Sequence, residues 1–107
     1  MAKKNDYIVV FVTCANEAQA NNIGRKLLEN KLAACVNKAK VSSIFTWRGK
    51  IEKAREVLLT IKTKKNLFRK VEKTVKSLHS YEVAEIIALP IIAANSQYLD
   101  WIKESTE

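Results

Sequence analysis

Two long strand-like arms around a single glycine constrain the fold of this chain more than any other feature. Residues 41–48 and 51–63 are rich in apolar and β-branched side chains, and only Gly49-Lys50 separate them. Arms joined by so short a turn predict an antiparallel β-hairpin. Each arm has about ten residues, more than a four-stranded domain of this size needs. Because long exposed strand edges are usually covered, we expect the hairpin to reach a second copy of the chain.

A helical pattern lies on each side of the hairpin. Apolar residues recur at spacings of three and four, which gives each segment one apolar stripe. Asn16 is a predicted N-cap whose bond Gln19 can return, and Asn30 can end that helix in the left-handed conformation. Thr63 or Asn66 can cap the second helix. The stripes are Ala20, Ile23, Gly24, Leu27 and Leu28 in the first helix and Phe68, Val71, Val75 and Leu78 in the second.

Further strand-like segments complete the pattern. Residues 7–14 form a continuous apolar run, as expected for a central strand. Residues 32–36 begin the second strand, which the first hairpin arm continues after a polar interruption. The last strand is predicted at 85–92, and Pro90 within it lacks a ladder donor, so this strand should lie at an edge or carry a bulge.

The order is therefore β-α-β-β-α-β with an added C-terminal helix, which Asn95 or Ser96 can cap. Right-handed crossovers and an antiparallel hairpin then predict a sheet of order 4-1-3-2. This is an α+β, ferredoxin-like fold, and residues 1–107 are long enough for one such domain. The topology places Cys14, the hairpin end and Tyr81 at the same end of the sheet.

The charge balance raises the question of a nucleic-acid partner. Lys and Arg number 19 against 11 Asp and Glu, a net charge of +8. Most clustered cations fit the solvated face of the second helix, and strands one and three are aliphatic apart from Phe11, whereas RNA-recognition modules expose aromatic residues there. We therefore do not expect nucleic acid to bind. The clustered cations are Lys62, Lys64, Lys65, Arg69, Lys70, Lys73 and Lys76.

Localisation follows from the cysteines and from the absence of signals. Cys14 and Cys35 lie in strand-like segments without a CxxC spacing, which favours two buried, reduced thiols. The start of the chain shows no apolar segment with a cleavage site, and no stretch has the length of a membrane span. These observations predict a cytoplasmic protein without a membrane partner.

Four short motifs in order give the chain a family resemblance. They are Leu32-Ala-Ala-Cys-Val-Asn37, Trp47-Arg-Gly-Lys-Ile-Glu52, His79-Ser-Tyr-Glu-Val-Ala-Glu85 and Tyr98-Leu-Asp-Trp-Ile102. From Ile8 to the final helix the chain resembles the CutA family. The resemblance implies a PII-like homotrimer, no enzymatic reaction, no required cofactor and a link to tolerance of divalent cations, chiefly copper. A sensing role and a non-metal scaffold or small-anion regulator are the alternatives it leaves open.

The chain departs from the family pattern at several positions. Ser80 and Ala84 stand where the family has proline, and Ala94 and Ser96 where it has glycine and proline. The copper ligands proposed for the family fall on Val12, Leu78 and His79, so one of the three is retained. A loop without its prolines is expected to be looser, because proline restricts the unfolded chain.

His79 and Cys14 are the candidate metal ligands. A soft metal such as copper prefers thiolate and imidazole ligands, and His79 is the only histidine. The alternative is that His79 ends the second helix, with its ring near the last carbonyls. An acylphosphatase activity is not expected, because residues 13–17 supply neither a glycine-rich phosphate loop nor an arginine.

A second set of residues predicts a cleft between subunits. Aromatic, cationic and carboxylate side chains together can hold a small anion. Trp47 and Tyr81 can instead pack across the trimer interface, where aromatic residues are common, with Lys62 paired to Glu82. For Cys35 we favour packing over a nucleophilic role. The set is Cys35, Trp47, Lys50, Lys62, Tyr81 and Glu82.

Overall fold

Four strands and three helices follow one another in the predicted order. The computed structural model describes residues 6–107, and residues 1–5, on which part of the targeting prediction depends, lie outside them. None of the helices in this described part is long and apolar enough to cross a membrane. The elements are β1 (Tyr7–Cys14), α1 (Glu17–Glu29), β2 (Cys35–Trp47), β3 (Lys50–Lys64), α2 (Phe68–Leu78), β4 (Ile86–Pro90) and α3 (Ser96–Ser105).

The four strands form one antiparallel sheet of order β2-β3-β1-β4, which is the predicted order read from the other edge. β1 pairs with β3 on one side and with β4 on the other. β4 is an edge strand, so Pro90 needs no partner on its outer side. The prediction that Pro90 marks an edge is confirmed.

Helices α1 and α2 cover one face of the sheet and form the core with it. Alternate side chains of β1 and β3 point to this face and are fully or almost fully buried. Thr63 is the polar exception, and its Oγ1 donates a hydrogen bond to the Leu32 carbonyl at 2.6 Å. The principal core residues are Val10, Val12, Cys14, Ile23, Leu27, Leu59, Ile61, Val71 and Val75.

The other face of the sheet, here called the open face, is apolar but only partly covered. The side chains that alternate with the core residues point to it, and directly paired residues share it. Ile87 and Leu89 on β4 are each 51 % exposed. α3 contacts β3 and brings Tyr98 next to Cys35.

The hairpin is longer and its turn is placed differently than predicted. β2 runs without a break from Cys35, so the polar interruption is part of the strand. Trp47 pairs with Lys50, which makes Arg48-Gly49 the turn rather than Gly49-Lys50. Both turn residues have positive φ, 52° and 78°, as a two-residue hairpin loop of the primed type requires.

The helix ends confirm two predicted caps and correct the others. Asn95 caps α3, and its Oδ1 accepts the Gln97 N–H at 2.9 Å. Asn16 Oδ1 accepts the Gln19 N–H at 2.9 Å, and Gln19 Oε1 accepts the Ala15 N–H at 3.0 Å. Asn30 has φ −88°, and the next residue, Lys31, takes the positive φ of 56° instead. A 3₁₀ turn over Lys65–Leu67 leads into α2, which has no side-chain cap, so Thr63 and Asn66 were wrong predictions.

Candidate functional site

The ring of His79 is held between β1 and the loop that leads to β4. α2 ends at Leu78, and His79 adopts an extended backbone that turns its ring towards β1. His79 Nε2 lies 2.7 Å from the Thr13 carbonyl oxygen, and the Tyr81 N–H donates to His79 Nδ1 at 3.1 Å. Because a carbonyl can only accept, Nε2 carries the proton and Nδ1 is the acceptor. Both ring nitrogens are therefore engaged, and neither bonds the last carbonyls of α2.

Tyr81 links this loop to the hairpin. Its ring lies 4.8 Å from the His79 ring, and its hydroxyl donates to Glu56 Oε2 at 2.7 Å. Glu56 is only 8 % exposed, so the hydroxyl is an important partner for its carboxylate. Burial and the hydrogen bond to Glu56 raise the pKa of Tyr81 to about 12. The phenol is thus a stable donor at neutral pH.

Cys14 is the last residue of β1 and follows Thr13, whose carbonyl contacts the His79 ring. Its side chain is fully buried on the helix-covered face. Burial, and then the negative charge of Glu56, raise the pKa of the Cys14 thiol to about 11. A metal binds the thiolate rather than the thiol, so this cysteine is a poor ligand at neutral pH.

The Cys14–His79 pair does not fit a metal centre within one chain. The imidazole has no free nitrogen, and the thiol is buried and protonated. Across residues 6–107, no three His, Cys, Asp or Glu side chains are grouped as metal ligands would be. Val12, at one of the ligand positions that the resemblance gave, is completely buried in the core.

The residues predicted for the cleft fall into two groups in one chain. The first group lies at the hairpin end, where Trp47 pairs with Lys50. Glu82 forms an ion pair of 3.1 Å with Arg48, whose guanidinium also lies 5.3 Å from the Trp47 ring centre. The predicted Lys62–Glu82 pair is therefore absent within the chain, because Arg48 is at the turn beside Glu82.

The second group lies near the start of β2. Cys35 pairs directly with Lys62, and Asn37 Oδ1 accepts a hydrogen bond from the Lys62 ammonium. Burial, with a smaller effect of the neighbouring Cys35 thiol, raises the pKa of Tyr98. Cys35 is half-buried rather than packed away as predicted. Trp47 is twelve positions further along β2 than Cys35, a span of about 40 Å.

Comparison with known proteins places the chain in a family. Residues 8–105 match the family model described as CutA1 divalent ion tolerance protein. The chain belongs to this CutA1 family. It is 49% identical over 98 residues to Protein CutA of Homo sapiens, a match that covers 91% of this chain and 55% of the relative. The chain thus spans about half the length of that relative.

Bacterial and archaeal CutA proteins match over nearly their full length, and so does the solved chain of a plant CutA1. The divalent-cation tolerance protein CutA of Thermus thermophilus is 44% identical over 99 residues, covering 92% of this chain and 96% of the relative. The structure of the periplasmic divalent cation tolerance protein CutA from Archaeoglobus fulgidus has a TM-score of 0.93 at 40% identity and covers 94% of this chain and 99% of its own. The crystal structure of CutA1 from Oryza sativa has a TM-score of 0.93 at 39% identity and covers 99% of this chain and 98% of its own. The predicted family and fold are confirmed.

Sequence reasoning did not find the side chains that organise this CutA site. Glu56 is one of two carboxylates in its hairpin arm, and only the strand register distinguishes it by placing it opposite the Tyr81 loop. Arg48 was assigned to the end of the first hairpin arm rather than to the turn, and its side chain carried no expected role. In the loop that lacks the family prolines at Ser80 and Ala84, the bonds of His79 and Tyr81 supply restraint instead.

Proposed function

We propose that this protein is a homotrimer that supports tolerance of divalent cations as a cytoplasmic, PII-like regulatory protein without catalysing a reaction. The observation that carries the assembly is the open face, whose apolar side chains are too exposed for a lone subunit. Beyond Ile87 and Leu89, the part of the hairpin that continues the open face presents Phe45 at 42 % and Trp47 at 37 % exposure. The number three is the one that the family resemblance implies, and the description of the matching family supports the link to divalent cations.

The hairpin supports contact between subunits because it extends beyond the rest of the sheet. β1 ends at Cys14, which is level with Val57 of β3 and Lys40 of β2. Seven more residues of β2 follow, about 23 Å of strand. Trp47 and Phe45 are in this extension, and aromatic residues are common in the buried centres of interfaces.

A direct role for copper at Cys14 and His79 is not part of the proposal. Their geometry supports a structural role, so any copper or other divalent cation would have to be held by side chains of more than one subunit. The two free thiols support a reducing compartment, although the Archaeoglobus fulgidus relative is described as periplasmic.

A small-anion regulator is the second candidate function. The two groups of cleft residues lie about 40 Å apart in one chain, so a cleft that contains both groups has to form between two subunits. A hairpin that reaches a neighbour would bring Trp47 and Lys50 of one subunit towards Cys35 and Lys62 of another. Each oligomer would then contain one such cleft for every pair of neighbouring subunits.

Light scattering of the purified protein tests the assembly. We expect a mass of three times the 12.1 kDa of one chain. Ile87→Glu should produce monomers, because it places a charge in the buried interface. Leu28→Glu is the matched control, since Leu28 is 43 % exposed on α1, away from the open face. A wild-type mass of one chain would reject the trimer.

Copper titration of the trimer tests the role of His79. We expect His79→Ala to leave the copper affinity unchanged and to lower thermal stability, because its two hydrogen bonds are lost. An affinity that falls at least about tenfold in the variant would restore His79 as a ligand.

A further inference from the structure

The two faces of the hairpin carry different charges. The strand register assigns each side chain to a face, because paired residues share one and successive residues alternate. On the face that continues the helix-covered side of the sheet lie three cations, Lys40, Lys53 and Arg55, which we call the basic strip. The residues of β2 and β3 on this face include no carboxylate, whereas Glu52 and Glu56 lie on the opposite face.

The three cations of the basic strip are not paired with any described carboxylate. In the part of the chain that the structure describes, none of its three side chains has an ion-pair or hydrogen-bond partner. Lys38, the next cation along the same face, is already bonded to Glu17 at 3.0 Å. All three side chains of the basic strip are exposed. Because none of the three is held in an ion pair with a described carboxylate, an anion that meets them can gain attraction from each.

The strip lines two neighbouring hollows. The first, about 440 Å³, lies between the hairpin base and the start of α1 and is lined by Lys40 and Arg55. Two carboxylates also line it, Glu17, which is paired with Lys38, and Glu56, which accepts the Tyr81 hydroxyl. The second, about 330 Å³, is lined by Arg55 and Lys53 together with Ser42 and Ser43. Arg55 takes part in both hollows, so one elongated ligand can extend from one to the other.

The spacing of the cations selects the shape of the ligand. Lys53 and Arg55 are two residues apart on one strand, about 6.6 Å, and Lys40 is diagonal to Arg55 at about 7 to 8 Å. A single phosphate group can contact two such side chains, whereas a chain of linked phosphoryl groups can contact all three. We propose that the basic strip binds a small ligand that carries a linear oligophosphate chain.

Nucleic acid is a poorer match for the same strip. Proteins that bind single strands combine cations with aromatic side chains on which the bases stack. The aromatic residues of the hairpin, Phe45 and Trp47, lie on the opposite face, with Glu52 and Glu56. The strip therefore offers contacts to phosphate but none to bases.

Calorimetric titration of the purified 107-residue protein with inorganic tripolyphosphate tests the proposal. The test variant is K40Q/K53Q/R55Q, and the matched control is K26Q/K73Q/K103Q, which removes three exposed cations elsewhere. Both variants lose the same charge. We expect the test variant to bind at least about tenfold more weakly and the control to change by less than about twofold. Orthophosphate should bind more weakly than tripolyphosphate.

Three outcomes would overturn the proposal. Absence of tripolyphosphate binding to the wild type would remove the ligand class. Equal losses in both variants would assign binding to the net charge rather than to the strip. Tighter binding of a single-stranded oligonucleotide, weakened in the test variant alone, would make the strip a nucleic-acid surface. Light scattering and circular dichroism of both variants confirm that assembly and folding are retained.

Discussion

Tyr81→Phe isolates the hydrogen bond between the Tyr81 hydroxyl and Glu56. The substitution keeps the ring, and with it the contact to His79, and removes only the donor at 2.7 Å. A hydrogen bond to a charged group contributes about 1.5 to 3 kcal/mol, and its loss leaves a nearly buried carboxylate without this donor. Because Tyr81 itself is half-buried, we expect the lower part of this range, about 1.5 to 2 kcal/mol.

Urea unfolding at neutral pH and at one fixed protein concentration measures this loss. The fixed concentration matters because association contributes to the stability of an oligomer. Tyr98→Phe is the matched control, since its hydroxyl lies beside the thiol of Cys35, which is a weak partner. We expect the control to lose less than about 0.5 kcal/mol.

A double-mutant cycle with Glu56→Ala separates the bond from unrelated effects of each substitution. We expect a coupling energy of about 1 kcal/mol or more between the two positions. If Tyr81→Phe costs no more than Tyr98→Phe, or if the two effects simply add, the Glu56 bond does not anchor the loop and the structural reading of this site is wrong.

Three further predictions concern single residues. The Cys14 thiol has a pKa of about 11 in the folded chain against 9.0 ordinarily, so between pH 9 and pH 11 only the unfolded chain loses this proton. The free energy of unfolding should therefore fall by about 2 to 3 kcal/mol across this range. Urea unfolding at alkaline pH should show a smaller fall in Cys14→Ala. Gly49→Ala should cost about 1 to 2 kcal/mol in thermal unfolding, because φ is 78° with open space around the position, and an unchanged melting temperature would contradict this. Asn16→Ala should cost about 1 kcal/mol in urea unfolding, whereas Asn16→Asp, which retains the capping oxygen, should cost little.

The fold was predictable because its signals are local and repeated. The helical stripes and the apolar strands each recur over many residues, and the handedness of crossovers leaves one sheet order. The helix ends were less predictable. Lys31 adopts the left-handed conformation in place of Asn30, and α2 begins after a 3₁₀ turn, because the path of the backbone between packed elements decides these positions.

The contacts of the site were not predictable for a different reason. Sequence reasoning placed Glu82 with Lys62, but Lys62 lies level with Cys35, far along the hairpin from the loop. A shift of a few residues in register changes which cations a carboxylate can reach, and composition does not encode that shift. Glu56 was missed in the same way, since its low exposure follows from the loop that folds over it.

The strand register also explains how one hairpin can serve two purposes. Its aromatic face continues the open face of the sheet, where burial against other subunits removes apolar surface from water. Its basic face points the other way, so assembly through the first face leaves the second available to a ligand. The two proposals therefore make a joint prediction. Ile87→Glu should separate the subunits while each subunit still binds tripolyphosphate, because the basic strip and both hollows are built from one chain. Loss of binding on dissociation would mean that a neighbouring subunit completes the strip.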